Sequence, residues 1–468
     1  MRILNIIFIF LSVITVSSAQ KIVIHFDSTP SPTPSVSKAI FKFNKDFAYS
    51  FTLDDATEDA FTCALPVFSG GEIAAINTNF TGLFQTDGCG NDVPFRAGVA
   101  WNTANIYGEN IHNGDVQGQL TWTQLDVLID KGWDVFNHSY SHKAKSTNAM
   151  TRADYVSEIE QNSLVVKQKT NRKIELNTFV VPSGDNVYQD IALDMGYKIV
   201  FDQNIGVTGI GGVVVDDDFG LDRLKLHRQL LEESISSLNR LDDVVKKSQN
   251  GQRIWYNEFT HHIDNFQNAN FNFYTFYSYM KNVAESHGKT GSDRMWFAPL
   301  QEVYEYLLAR KHITYTATLK GKDLAIDFNQ NNVPKWLRRN VLTLVVDSET
   351  PFSKVEVPNG VKVTFKGSGN RKIINLDFEE YIATGSQELT PSVFRLFPSP
   401  ASDTLILDLE KEMGEMDFII QYFTGKRYLA GKIKEKRNIL NVQTLPLGAY
   451  IISLKKGNQF YSQKFVKV

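Results

Sequence analysis

The chain has 468 residues, 42% hydrophobic and 22% charged, an ordinary globular composition that at roughly 150 residues per domain suggests about three units. Its 49 basic and 52 acidic residues leave a formal net charge of −3, which gives no bulk electrostatic reason to expect nucleic acid as a partner. Two cysteines exclude a four-cysteine zinc finger and any iron–sulfur cluster held by cysteines alone.

Arg2 precedes an apolar run from Ile3 to Val16, and Ser17 and Ala19 follow as small residues where a signal peptidase reads. Residues 1–19 are therefore expected to be a secretory signal peptide. The run is too short to cross a bilayer, and no later stretch holds 18 apolar residues, so no transmembrane segment is expected in the mature chain. Export implies an oxidising compartment, in which a Cys63–Cys89 disulfide is expected. Residues 20–40, with the proline-rich Ser28–Ser35 stretch, read as an extended arm.

From 41 to 311 short apolar strands alternate with helical periodicity. Phe47–Leu53, Gly132–Phe136, Asn177–Val181, Lys198–Phe201 and Arg253–Thr260 read as strands. Helices fit Thr121–Lys131, Thr151–Lys169, Val187–Met195, Asn270–Glu285 and Leu300–Arg310. This order predicts an α/β unit with a parallel sheet, either doubly wound or closed into a barrel. After Lys311 the helical period stops. Residues 312–385 read as a small β-sandwich, and 391–468 as a further all-β unit with twelve basic and seven acidic residues, about +5.

Ser50-Phe-Thr-Leu-Asp-Asp-Ala56 closes an apolar strand with two adjacent carboxylates. Side chains alternate faces along a strand, so Asp54 and Asp55 must do different jobs. At the C-terminal end of a barrel strand one can bind a metal and the other accept a proton. A helix N-cap pair is the plain structural alternative. His138 and His142, four apart in Val135-Phe-Asn-His-Ser-Tyr-Ser-His142, have the spacing of two ligands to one tetrahedral zinc. One Asp and two His leave a coordination position open for water, and a second carboxylate beside them can serve as general base. Such a set suits metal-assisted hydrolysis of an acyl bond. Trp255-Tyr-Asn-Glu-Phe-Thr-His-His262 is a further strand ending in histidine, where His261 is the candidate proton donor and His262 the fallback.

These residues carry a resemblance. Thr52-Leu-Asp-Asp55, then His138-Ser-Tyr-Ser-His142, Val180-Val-Pro-Ser-Gly184 and Phe259-Thr-His261 resemble the motifs of NodB-type polysaccharide deacetylases, carbohydrate esterase family four. The likeness runs from about Phe47 to Arg310 and implies a (β/α)7-type distorted barrel. Carried over, it implies Asp54 as general base and Asp55, His138 and His142 as ligands to a divalent metal, zinc by default. It also implies His261 as general acid and Pro182 as the mark of a substrate-groove loop that includes Gly184; Asp185, just after it, is unusual for the family and is a candidate substrate contact. The arginine that the family pairs with its base has no counterpart here, since Val180-Val181 precede Pro182, and the family's Asp–Trp motif is not identifiable. That gap favours a competing reading, a non-catalytic glycan-binding protein on a degenerate barrel.

Phe397-Pro-Ser-Pro-Ala-Ser-Asp-Thr-Leu405, Leu447-Gly-Ala-Tyr-Ile-Ile-Ser-Leu454 and Lys464-Phe-Val-Lys467 resemble the type A C-terminal sorting domain of type IX secretion. The two resemblances together imply a hydrolase at the cell surface or released from it. Its expected partners are an acetylated polysaccharide and the type IX secretion machinery.

Overall fold

The structure, a computed structural model, describes residues 20–378 and 394–467 apart from 106–107, 113, 115–118, 147–148, 172–173, 204–211, 233–236, 265, 267–270, 370, 398–400, 410, 412, 423–426, 447 and 457–458. The expected signal segment, 1–19, lies outside the described residues. The chain divides into two compact units, Met1–Ile382 and Ala383–Val468.

The first unit is built on seven parallel strands: β1 (Phe47–Leu53), β2 (Gly98–Trp101), β3 (Asp134–Asn137), β4 (Thr178–Val180), β5 (Ile199–Gln203), β6 (Leu224–Leu230) and β7 (Ile254–Thr260). Each pairs in parallel with the next, and β7 pairs with β1 along its whole length, from Ile254 opposite Phe47 to Thr260 opposite Leu53. The sheet is thus a closed barrel. Its narrowest seam is β3–β4, with only Asn137 opposite Phe179; β1–β2 is held by Thr52–Gly98 and Leu53–Val99, while Met295–Phe297 pairs with the first half of β1.

Alternation along β1 explains both layers of the unit. Phe47, Tyr49, Phe51 and Leu53 join the core under the surrounding helices, with Leu125, Ile159, Phe276 and Met280. Ala48 belongs instead to the cluster that holds Ala100, Phe136, Phe201 and Trp255 inside the barrel. Six longer helices among the described residues surround the strands: α1 (Trp122–Asp130), α2 (Arg152–Lys169), α3 (Val187–Asp194), α4 (Ser237–Gln249), α5 (Phe273–His287) and α6 (Leu300–His312). Thr121 with Gln124 and Thr151 with Asp154 form capping boxes that start α1 and α2.

Beside the barrel this unit carries a sandwich of two four-stranded antiparallel sheets. Here the expectation for residues 20–40 is corrected. Gln20–Phe26 lies between strands Asp323–Asn329 and Phe352–Glu356, and Ser35–Lys38 pairs with Val341–Asp347. Only the proline-rich turn between them escapes pairing. Ile22, Ile24 and Phe26 alternate inward and are buried, so the segment has a strand pattern that its prolines obscured.

The second unit has a three-stranded and a four-stranded antiparallel sheet around its own core, which includes Leu405, Leu407, Ile420, Tyr450, Ile452 and Phe465. No helix among the described residues is long and apolar enough to cross a membrane.

Candidate active site

β1 delivers its two carboxylates to different environments. Asp54 follows the strand, with its backbone N–H bonded to the Thr260 carbonyl at 2.9 Å, and it is 2% exposed. Asp55 then turns at φ 67°, a left-handed conformation that Asp tolerates better than most residues. This bend sends the two carboxyl groups to different partners. Strain of this kind concentrates where geometry serves chemistry, and the site holds more of it: Ser139 (φ 63°), His142 (φ 58°) and Ser183 (φ 51°).

His138 and His142 meet Asp55. His138 Nε2 lies 3.4 Å and His142 Nε2 3.3 Å from the same Asp55 Oδ1, and the two rings stand 4.8 Å apart. His138 Nδ1 bonds the Val180 carbonyl at 2.9 Å, so the ring's other nitrogen is the one aimed at Asp55. The His142 backbone N–H donates to Ser139 Oγ at 3.0 Å, and Ser139 N–H to Asn137 Oδ1 at 2.9 Å. Glu158 on α2 accepts both the backbone N–H and the hydroxyl of Ser141. The histidine loop is thereby fastened to β3 and α2.

The proline loop has a different duty from the one its motif suggests. Asp185 is buried: its Oδ2 accepts from Tyr155 Oη at 2.7 Å and Lys145 N–H at 2.8 Å, and its Oδ1 from Val187 N–H at 3.2 Å. The carboxylate is taken up in tying this loop to the chain after His142, so the expectation of a substrate contact at Asp185 is corrected. Pro182 is also buried, two residues past the carbonyl that orients His138. Gly184 sits at φ +65°, where a Cβ would come within 2.8 Å of Gln203 Nε2.

Two residues that sequence reasoning missed complete the site. Arg228 on β6 reaches Asp54 with both forks, Nη1 to Oδ1 at 2.8 Å and Nη2 to Oδ2 at 2.9 Å, with its guanidinium 4.1 Å from the Phe259 ring centroid. This corrects the expected gap: the base candidate has an arginine, supplied by a strand two places beyond the one where it was sought. The argument for a degenerate barrel loses its footing. Glu232, just past β6, holds the end of β7 by three bonds to one oxygen, two from His261 (N–H at 2.6 Å and Nδ1 at 3.0 Å) and one from Thr260 Oγ1 at 2.8 Å. His262, the fallback donor, turns elsewhere and groups with Asp59 and Asp264.

Charge follows this geometry. Burial works against the ionised form of Asp55, yet His138 and His142 hold it well below the usual carboxylate range. Burial, and then His138, pulls His142 down to about 4, which keeps the imidazole neutral and able to act as a ligand. Burial also pulls on His261, but Glu232, Asp54 and Asp55 outweigh it and push this ring up to about 9. Glu232 correspondingly falls to about 2: burial opposes the shift, and His261 overrides it.

Asp55, His138 and His142 fit a metal ion. Asp55 Oδ1 is a buried oxygen with no hydrogen-bond partner, and both imidazoles aim an unshared nitrogen at it. The separations of 3.3 and 3.4 Å match the edge of a tetrahedron with bonds of about 2.0–2.2 Å. Asp55 and His142 keep 34% and 29% of their side-chain surface exposed, so the group has an open side.

Cys63 and Cys89 are free thiols, which corrects the expected disulfide. Cys63 is buried in the core under the helices, whereas Cys89 sits in a turn where Asn375 Nδ2 approaches its sulfur at 3.4 Å, against the sandwich. Two different packing environments hold them.

Residues 44–200 match the family model for polysaccharide deacetylase. Over this stretch the barrel is similar to polysaccharide deacetylases. Residues 395–468 match the model for the secretion system C-terminal sorting domain, which indicates export by the type IX route. Among solved structures, the chain is similar to the Xyl-CE4 domain of a multidomain xylanase from the hindgut metagenome of Trinervitermes trinervoides, at 14% identity and TM-score 0.30, covering 55% of this chain and 89% of that one. It is also similar to the family 4 carbohydrate esterase from Streptomyces lividans in complex with acetate, at 14% identity and TM-score 0.23, covering 44% and 95%. A third similar structure is the Streptococcus pyogenes deacetylase PplD in complex with acetate, at 17% identity and TM-score 0.26, covering 38% and 62%. No curated protein matches the chain.

Proposed function

We propose that the protein is an exported, divalent-metal-dependent hydrolase that removes acetyl groups from an acetylated glycan. The observation that carries this reading is the convergence of Asp55, His138 and His142, one donor atom from each within 4.8 Å, beside a carboxylate held by a buried arginine. Asp55, His138 and His142 would hold the ion, with zinc as the default for two imidazoles and one carboxylate. When bound, such an ion polarises the acyl oxygen and makes water acidic enough to be deprotonated near neutral pH.

The protein's own groups divide the remaining work. Asp54 is the base that accepts the proton of the attacking water. Arg228 fixes both of its oxygens, so the carboxylate cannot swing onto the ligand histidines. His261 stands on the open side, 30% exposed, with Nδ1 engaged by Glu232 and Nε2 left to donate a proton to the leaving group. The walls around Asp54 and His138, each 2% exposed, exclude water from the inner side.

The test is metal content and acetate release together. The purified full chain should carry about one equivalent of a late first-row ion and liberate acetate from an acetylated glycan. His138→Ala should lose both while the barrel stays folded by circular dichroism. A protein that binds no such ion yet releases acetate at full rate would overturn the reading.

A further inference from the structure

We propose that Asp59, His262 and Asp264 form a second divalent-cation site, for a late first-row ion such as zinc, which ties the loop after β1 to the loop after β7. It shares no residue with the group of Asp55, His138 and His142, and its ion has a structural role.

The site is built around one fixed carboxylate. Asp59 stands four residues past Asp55 and is 2% exposed. Its Oδ1 accepts from Thr57 Oγ1, and its Oδ2 from the Ile263 backbone N–H at 2.5 Å. Ile263 is buried in the core under the helices, so His262 and Asp264 on either side of it are held against Asp59 while staying exposed themselves. One donor atom from each of the three lies within 4.8 Å of the other two. Each Asp59 oxygen keeps a lone pair beyond the hydrogen bond it accepts. An imidazole beside two carboxylates suits a borderline ion better than calcium or magnesium, which prefer oxygen donors alone.

The charge of this group is uncompensated. Burial pushes the Asp59 carboxyl above its usual range against the bonds from Thr57 and Ile263, and the Asp264 charge adds to the push. Among the described residues no lysine or arginine forms an ion pair with Asp59 or Asp264. Glu302, by contrast, is buried against Lys42 and Arg96. A cation among the three donors supplies the missing charge, with neutral His262 giving a lone pair. Its effect reaches the first site, because Thr57 Oγ1 also approaches the His261 carbonyl at 3.4 Å. An ion here fixes the segment that carries His261 against the one that carries Asp55. With three protein donors, two of them exposed, the site is weaker than the first and fills from added ion instead of holding it through purification.

The experiment is equilibrium dialysis of the purified full chain, and of His138→Ala, against Zn2+ alone. Each should take up about one equivalent, with Kd on the order of 10 μM, and melt at a higher temperature when loaded. His262 is exposed, so its removal leaves the core intact. His262→Ala should abolish both the uptake and the rise in melting temperature, and Asp264→Asn should weaken binding at least about tenfold. His227→Ala, an exposed histidine on β6 outside the cluster, should change neither. Uptake that survives His262→Ala at unchanged affinity would mark an adventitious ion only. That result, or no uptake by either protein, would overturn the proposal and leave the reading of Asp55, His138 and His142 standing. An ion bound by the chain that His262→Ala loses and His138→Ala keeps would support this site and count against the first.

Discussion

The barrel buries ionised groups at both ends, and the two ends treat them oppositely. At the floor, where the strands begin, Asp134 faces Arg338 and Arg339, Glu305 faces the same two arginines, and Glu302 faces Lys42, Arg96 and Arg339. All three carboxylates are 0% exposed, and each has at least two cations. At the mouth, Asp54, Asp55 and Glu232 have one guanidinium and three imidazoles among them, and Asp55 keeps a buried oxygen with no hydrogen bond. The floor has four cations, Lys42, Arg96, Arg338 and Arg339, for its three carboxylates, so its charges serve to hold the structure together. The mouth is short of positive charge at the place where a cation and a reacting proton would be needed.

The comparison breaks first at Arg339. Removing it leaves Asp134, Glu302 and Glu305 buried beside fewer cations, so Arg339→Met should cost about 3–5 kcal/mol of stability in urea melts. Acetate release per folded molecule should stay near that of the wild type. A neutral melt would mean that the floor network is not what joins the barrel to the sandwich-entry loop. At the mouth the outcome should invert: Asp54→Asn keeps size and hydrogen bonding, so turnover should fall by about 10²-fold or more with the bound metal retained. An Asp54→Asn variant with unchanged acetate release would show that Asp54 is not the base.

These two ends also differ in how far the sequence reveals them. Asp54, Asp55, His138 and His142 are legible because they close apolar strands in short motifs, where spacing alone says that side chains can meet. Arg228 and Glu232 are not. They belong to Leu224-Lys-Leu-His-Arg-Gln-Leu230 and the turn after it, a strand whose outward Lys225 and His227 interrupt the apolar run. Read by alternation, Leu224, Leu226 and Arg228 fall on one face, and an arginine there demands a carboxylate partner; that was the available signal. β2 was missed for a related reason: four residues, Gly98–Trp101, are too few to show a period. The floor is illegible for a physical reason. Its partners come from distant parts of the chain, some of them about two hundred residues apart, as in Arg339 and Asp134, and no local pattern records such a pairing.

Arg228 sharpens the contrast on a smaller scale. Its fork grips both Asp54 oxygens and its plane lies over Phe259, neither of which an ammonium can reproduce. Arg228→Lys should therefore lower kcat by about tenfold with metal content and KM nearly unchanged. An unaltered kcat would mean that charge near Asp54 suffices and its orientation does not matter.

The smallest expected effect is on stability against pH, and it isolates the one pair at the mouth that resembles the floor. His261 is raised to about 9 in the folded protein by Glu232, Asp54 and Asp55 against the pull of burial, above an unfolded value of about 6.5. The folded state therefore holds a proton that the unfolded chain releases between those values. The resulting stability is fully present below about pH 6.5 and is lost as pH rises through about 9. Glu232 behaves in the opposite sense: burial is overridden by His261 and it falls to about 2, so its contribution is present above about pH 4.5 and lost as pH drops through about 2. Melting temperature should thus decline more steeply between pH 7 and 10 in the wild type than in Glu232→Gln, where the raised imidazole has lost its main support. Both side chains are 30% exposed, so screening by salt should shrink the difference, and a series at rising ionic strength checks that. The same titration bears on turnover, because a donor that loses its proton near pH 9 should take amide hydrolysis down with it. Identical pH–melting curves for the two proteins would show that Glu232 and His261 are not electrostatically linked in the fold.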